Sequence, residues 1–400
     1  MQKLLAMGLP GLLLASAAHA QGVTEEEFLA ALREDHAAIR SLGEDVAQAE
    51  ADRKRAGTLA NPRLEFWREE PASNPQVTNW TLAWLPPLDG RYQIGKKAAD
   101  AGVAAARARL TADRMELRSE ARRAFAEWSL SFERVSILKG ELDLVALLAE
   151  QERNRARLGE SSGLASRRFT LAEGEARQVV ATAEADYAKA AAGARAWRPD
   201  LSPTDVPAAV RMPEPPAAAD TEGSPQRRAL EEELDQRRLE ARWAGRFWGF
   251  PTLQFGWQTL EEAGVQDSGP ILAANWNLPL LDRDQGTRLE AKLREQTTAA
   301  RLEFVTGRLT SEAEGLLAAY RTLFDSARNA EATAQEALPV IEAATQAYRA
   351  GEIGLTDFFE SLRSAFGART RETEARGAAL ELHRNLEVLL GRPLVEGDIP

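Results

Sequence analysis

Two stretches of the chain alternate apolar with polar residues, and each runs on into a much longer stretch with helical periodicity. In the first, Leu64 and Phe66 alternate with Arg63, Glu65 and Trp67, and Trp80, Leu82 and Trp84 with Asn79, Thr81 and Ala83. In the second, Leu253, Phe255 and Trp257 alternate with Thr252, Gln254 and Gly256, and Leu272, Ala274 and Trp276 with Ala273, Asn275 and Asn277. A period of two gives a strand one apolar and one more polar face. The pattern predicts strands over 61–70, 78–87, 250–259 and 271–279. Glu70–Gln76 and Leu260–Pro270 are mostly polar and read as connections, so the strands form hairpins over 61–87 and 250–279. Their lengths are close to the roughly 9–11 residues with which a tilted strand crosses a bilayer.

After each hairpin the period changes to that of a helix. Leu110, Leu117, Ala121, Ala124, Trp128, Val135, Leu138, Leu142 and Val145 form a seam along 91–157. Leu289, Leu293, Leu302, Val305, Leu309, Leu316, Tyr320, Leu323 and Ala327 form another along 283–349. Charged residues fill the remaining positions, so these helices face water on one side and pack on the other, as coiled coils do. Returning helices are predicted over 164–197 and 355–390, and further helices over 23–56 and 225–244. The stripe of the first of these is Leu29, Leu32, His36, Ile39, Leu42, Val46 and Ala49, with Thr24 as its N-cap. Pro339 removes a backbone donor and should break the second long helix near Glu336.

The two stretches are copies. Trp84, Pro87, Leu88 and Arg91 recur as Trp276, Pro279, Leu280 and Arg283 (276 − 84 = 192), and Arg157, Gly159 and Glu160 as Arg349, Gly351 and Glu352 (351 − 159 = 192). Each copy therefore holds the same distance, 69 residues from Arg91 to Gly159 and from Arg283 to Gly351 (159 − 91 + 1 = 69). As helix that is a rod of about 100 Å. The chain divides into a first repeat over 21–197, a linker over 198–224 rich in proline, a second repeat over 225–390 and a tail over 391–400.

Composition narrows the function. The formal net charge is −11 and gives no basic groove for nucleic acid. The chain has no cysteine, which excludes disulfides, thiolate metal sites and a lipid attached to cysteine. Lys3, the apolar run Leu4–Ala15 and Ala18-His19-Ala20 read as a secretory signal over 1–20, cleaved after Ala20. His36 and His383 lie on helical stripes, where packing is the ordinary role, and no nucleophile with a base or cluster of metal ligands is visible. No catalytic residue, cofactor or resident metal is therefore expected.

Trp67, Trp80, Trp84, Trp257 and Trp276, with Trp248 beside them, sit in or next to the hairpins and suit a membrane–water boundary. A small soluble sheet with a tryptophan-lined core shows the same alternation, but it has no need of long rods. Four strands cannot close a barrel, and open edges are not tolerated in lipid. Three chains supply 12 strands, within the range of bacterial barrels at about 8–26. The expected fold is mainly α with a small β part: a trimeric transmembrane β-barrel continuing into a tube of coiled-coil helices.

Leu85-Pro86-Pro87-Leu88-Asp89-Gly90 at the strand-to-helix junction and Tyr348-Arg349-Ala350-Gly351-Glu352 before the second tip, with the duplicated plan, resemble the outer membrane efflux protein (TolC) family. The junction resembles its heavy-metal branch, the CzcC- or CusC-like proteins. The resemblance covers nearly all of the chain after the signal. It implies a homotrimer in the outer membrane of a Gram-negative bacterium, with a long periplasmic α-helical barrel. Implied partners are a periplasmic membrane-fusion adaptor, an inner-membrane pump, the RND type foremost, and outer-membrane lipid. The function implied is a passive efflux duct, with heavy-metal cations as the cargo that branch implies. Drug efflux and type I protein secretion are alternatives within the family, and a periplasmic coiled-coil spacer is the alternative outside it.

The resemblance also implies site residues. Asp357 and Glu360 fall where the family narrows its periplasmic mouth with acidic rings, which favour cations. Ordinary solvated helix positions are the competing reading. The family often carries a further acidic residue in the first tip region, whereas here the position equivalent to Asp357 in the first repeat is Ala165 (357 − 192 = 165). Gly159, Glu160, Gly163, Gly351, Glu352 and Gly354 mark the helical-hairpin tips, expected to meet the adaptor; helix punctuation alone would also explain the glycines.

Overall fold

The computed structural model describes residues 22–30, 32, 36–70, 76–246, 249–278 and 280–391. The expected signal at 1–20, nearly all of the 391–400 tail, Trp248 and Pro279 lie outside them. In chain order the elements are helices α1 (Glu25–Leu29), α2 (Ala37–Leu42) and α3 (Glu44–Ala56), strands β1 (Arg63–Glu69) and β2 (Gln76–Trp84), and helices α4 (Arg91–Arg157), α5 (Gly163–Trp197) and α6 (Pro225–Gly245). Strands β3 (Thr252–Glu262) and β4 (Val265–Asn275) follow, then helices α7 (Gln285–Gln335), α8 (Ala337–Ala350) and α9 (Leu355–Leu390). None of the described helices is long and apolar enough to cross a membrane. The chain divides into one compact unit of residues 1–41, 113–224 and 309–400, and another of 42–112 and 225–308.

The second unit holds one antiparallel sheet in the order β1-β2-β3-β4. Register places Leu64, Leu82, Phe255 and Leu272 in one row, and Phe66, Trp80, Trp257 and Pro270 in the next. These rows share a face, and Leu82 and Leu272 on it are exposed. The opposite face carries Arg63, Glu65, Asn79, Thr81 and Gln254, with Gln254 Nε2 donating to Glu65 Oε2 at 3.3 Å. The expected polar connection Leu260–Pro270 is instead mostly strand. Only Ala263 and Gly264 turn, with φ of 51° and 83°. Two positive φ values in succession match the twist of a two-residue hairpin, so the strands can continue to the turn. Pro270 is tolerated because β4 is an edge strand of this sheet.

In this unit α4 buries Val103, Ala105 and Ala106 and α6 buries Ala229, Leu230 and Leu234, while surface ion pairs link the helices: Arg53 to Asp100 at 2.5 Å and Arg107 to Glu50 at 2.9 Å between α3 and α4, and Arg109 to Glu233 at 2.5 Å between α4 and α6. Leu289 and Leu293, expected in the packed seam of the second rod, are exposed and line an open groove with Glu233 and Arg237. The seam is real in sequence but needs a further helix on that side to cover it.

The other unit is more apolar. Ala121, Phe125 and Trp128 of α4 pack with Phe28 of α1, Ala191 and Ala194 of α5, and Leu380 of α9. The expected single helix over 23–56 is three segments. Phe28, Leu29 and Leu32 serve this core, whereas α3 buries nothing in the other unit, so one stripe is divided between two environments. The 198–224 linker is not a free tether. Leu201 and Val210 are buried in the same core. Val23 N–H donates to Val206 O at 2.9 Å and Ala208 N–H to Val23 O at 2.8 Å. Ser129 Oγ donates to Ala208 O at 2.7 Å, Arg321 Nη2 to Ala217 O at 2.7 Å, and the Tyr320 hydroxyl to Pro213 O. Extended proline-rich backbone leaves its carbonyls unpaired, and the helices supply the donors.

The long helices behave unequally. α4 runs unbroken for 67 residues. The second rod breaks at Glu336, because Pro339 has no N–H for the Gln335 carbonyl four residues back.

Arg122 is the buried charge to which this unit's elements converge. It donates to Glu25 Oε1 at 2.9 Å and to Glu387 Oε2 at 2.6 Å. Arg384 lies 3.9 Å from Glu25, and burial lowers its guanidinium pKa. Removing one member of a buried set strands the others, at a cost of about 3–5 kcal/mol. Arg122→Ala is therefore expected to lower stability by about that amount in urea or thermal unfolding, whereas Arg55→Ala on exposed α3 should change it by less than about 1 kcal/mol.

Candidate functional site

Both helical-hairpin tips lie in the first of these units, and their turns are built alike. At the end of α4, Gly159 adopts φ +78°, its N–H donates to Ala156 O at 3.2 Å, and Glu160 N–H donates to Arg155 O at 2.8 Å. At the end of α8, Gly351 adopts φ +76°, its N–H donates to Tyr348 O at 3.1 Å, and Glu352 N–H donates to Ala347 O at 2.9 Å. This paired closure satisfies the last carbonyls and needs a left-handed residue, for which glycine is suited. Gly163 and Gly354 are not equivalent. Gly354 is the N-cap of α9 and makes no side-chain cap bond, whereas its counterpart Ser162 accepts from Ala165 N–H at 3.2 Å, and Gly163 is the first residue of α5.

Asp357 and Glu360 are exposed on the first turns of α9, flanking the fully buried Phe358. Their spacing puts both carboxylates on one face, with the Asp357 carboxylate folded back toward Gly354. Glu160 and Glu352 are exposed in their turns.

Beneath these residues is an aromatic cluster that sequence reading did not identify. Phe169 of α5 lies 6.1 Å from Phe358 and 4.8 Å from Phe359 between ring centroids, and Tyr348 stacks on Phe358 at 4.8 Å. Arg168, next to Phe169, donates to Thr356 Oγ1 at 3.2 Å and so ties one tip to the other. Arg168 stands exactly one repeat before Glu360 (360 − 192 = 168), and that offset was a signal in the sequence that could have found it. The copies thus carry opposite charges at this position.

Glu152 is buried at the first tip, accepting from Arg155 Nη1 at 2.7 Å and Ser161 Oγ at 2.5 Å. Burial, followed by the negative charge of Glu152 and a hydrogen bond to it, pushes the Tyr348 phenol up to about 12. Burial also raises the pKa of Glu141 higher on α4, against the pull of Arg363. The tips therefore present charged rims on a buried apolar base. Among the described residues no group of three or more histidine, aspartate or glutamate side chains could hold a metal ion.

The strand aromatics form a second, separate candidate. Trp80, Trp84 and Trp257 lie on the apolar sheet face and are exposed, with Phe66 against Trp80 at 4.5 Å. Trp67 is also exposed but pairs with Asn79, placing it on the opposite face from Phe66. Trp276 follows β4, and its Nε1–H donates to Gly249 O at 3.0 Å.

No family model matches the chain, and no curated protein matches it. Solved structures do. The chain is similar to CusC, whose crystal structures concern folding and transmembrane channel formation, at 16% identity with a TM-score of 0.75, covering 92% of each chain. It is similar to the open state of the Neisseria gonorrhoeae MtrE outer membrane channel at 17% identity and TM-score 0.73, covering 92% of this chain and 89% of that one. The Campylobacter jejuni CmeC outer membrane channel matches at 14% identity and TM-score 0.69, covering 93% and 88%. The chain has the fold of these channel subunits, which is the fold the sequence resemblance implied.

The tip assignment predicts a titration. Tyr348 is protonated in the folded chain to higher pH than a free phenol, so its contribution to stability is present below about 10 and is lost as pH rises through about 12. In an ultraviolet titration, Tyr348→Phe should remove the component near 12. Glu152→Gln should move that component only part of the way down, since burial is the larger cause.

Proposed function

We infer that the chain is one third of a passive export duct in the outer membrane of a Gram-negative bacterium. One observation carries the reading: a channel-subunit fold in which a four-stranded sheet exposes an apolar face and is paired on one side only at β1 and β4. A backbone edge left unpaired in lipid is costly, so the sheet must be completed by other copies. Three copies give 12 strands and a homotrimeric barrel. The helices then supply the periplasmic wall. A periplasmic adaptor and an inner-membrane pump of the RND type would load the duct. The junction Leu85–Gly90 supports heavy-metal cations as cargo, selected by the pump and not by ligands in the wall.

In this reading Asp357 and Glu360 form acidic rings at the periplasmic mouth, and the turns at Gly159, Glu160, Gly163, Gly351, Glu352 and Gly354 meet the adaptor. Their exposure and their place on a firmly packed base support this. Like charges around a narrow opening attract cations and oppose close approach of the tips.

Planar-bilayer recording of the purified protein tests the duct directly: discrete, cation-selective conductance is expected, and no conductance at any protein concentration overturns it. Replacing Asp357 and Glu360 together with Ala should raise single-channel conductance and weaken block by multivalent cations; unchanged values would remove the gate assignment. Leu272→Arg, on the exposed apolar face, should impair membrane assembly by about 2–4 kcal/mol if the row lies near mid-membrane. Gln258→Arg, on the opposite face, should assemble normally.

A further inference from the structure

Leu88 and Leu280 occupy the same position in the two copies (280 − 88 = 192). Each closes the same tight turn at a strand-to-helix junction: Leu88 N–H donates to Pro86 O at 2.9 Å, and Leu280 N–H donates to Leu278 O at 2.9 Å. Both side chains stand out into solvent, 69% and 67% exposed, and Leu281 beside the second is 94% exposed. The first junction is firmly built. Asp89 Oδ1 accepts from Arg91 N–H at 2.9 Å, Arg246 Nη1 donates to Asp89 O at 3.1 Å, and the Arg91 guanidinium lies 5.3 Å from the Trp243 ring centroid. Leu88 and Leu280, held outward by the same backbone bond, and Leu281 exposed beside the second call for an apolar neighbour.

Length identifies that neighbour. The apolar face of the sheet has three rows, from Trp84, Leu253 and Ala274 to Phe66, Trp80, Trp257 and Pro270. Beyond them the row Arg68, Thr78, Thr259 and Ser268 is polar. Three rows span four residues of strand, about 13 Å at the usual rise, and about 10 Å once the strands tilt. An outer-membrane barrel needs an apolar band of about 25 Å. The deficit lies on the helix side, because the polar row closes the other. From Trp84 to Leu88 and from Ala274 to Leu280 the chain can add at most about 13–20 Å, less what the tight turn in each segment takes back.

We propose that Leu88, Leu280 and Leu281 form a collar that inserts among the acyl chains of phospholipid in the leaflet nearer the helices. The lower limit of the membrane band then lies below the sheet, at the junctions. Lys96 and Lys97 on α4, and Arg288 and Lys292 on α7, follow the leucines on exposed helix surface and reach the level of the headgroup phosphates. The proposal rests on the membrane reading of the sheet.

Because the chain has no cysteine, single nitroxide labels can be placed cleanly. Leu88→Cys, Leu280→Cys and Leu281→Cys, each in the full assembled protein, would be labelled and reconstituted in vesicles of phosphatidylethanolamine and phosphatidylglycerol. Leu272→Cys serves as the reference for the sheet face. Collision with dissolved oxygen should exceed collision with a water-soluble nickel chelate severalfold at all four positions. If the reference behaves so but the junction labels favour nickel, the collar is wrong and the barrel stands. If the junction labels are shielded from both reagents, a second copy of the chain covers them and the lipid assignment fails. If the reference itself favours nickel, the membrane reading fails and takes the collar with it.

Discussion

A β-sheet with two open edges and one exposed apolar face is the constraint on which the rest of this structure depends. Every backbone N–H and C=O must find a partner, and at β1 and β4 the chain offers one side only. The helices of the same unit share the condition. Leu289 and Leu293 keep the spacing of a packed seam yet remain exposed. Neither feature suits a chain that works alone. Both suit a wall assembled from several copies, where edges and seams are completed by the neighbour.

The other unit solves a different problem. It must hold long helices in fixed register with few large side chains, and it does so with alanine at close contacts, aromatic clusters at intervals and charges in buried positions. Arg122 reaches Glu25 and Glu387, and so fastens the first helix and the returning helix to the rod. Such groups give less stability than an apolar core of equal volume, but they penalise any sliding that would separate them. The proline-rich strap adds a second fastening, through Leu201, Val210 and the Tyr320 hydroxyl.

Much of this was legible because it is periodic or repeated. The alternation at Trp80–Trp84 and Leu253–Trp257 located the strands, the seam from Ala121 to Val145 located the rod, and Pro339 located its break. What escaped was set by partners distant in sequence. Leu260–Pro270 looked like a polar loop because its strand residues face water and only Ala263-Gly264 turn. The 198–224 segment looked like a tether because proline composition does not reveal which donors will take its carbonyls. The helix over 23–56 looked continuous because a stripe does not say that one end packs into a core while the other buries nothing. At the tips, Gly159 and Gly351 were readable from their repeat, but the Phe169–Phe358 cluster was not. Arg168 could have been found, since the copy offset places it opposite Glu360.

The interruption at Glu336 makes the two copies mechanically unlike. The first has an unbroken strut of 67 residues. The second has a strut of 51 residues joined to a separate segment of 14. That segment buries Ala337, Ile341 and Ala344 on its own account, so it is supported without a continuous ladder of bonds behind it. A stiff member paired with a jointed one gives a frame a single point at which it can yield, and here that point lies one helix before Asp357 and Glu360.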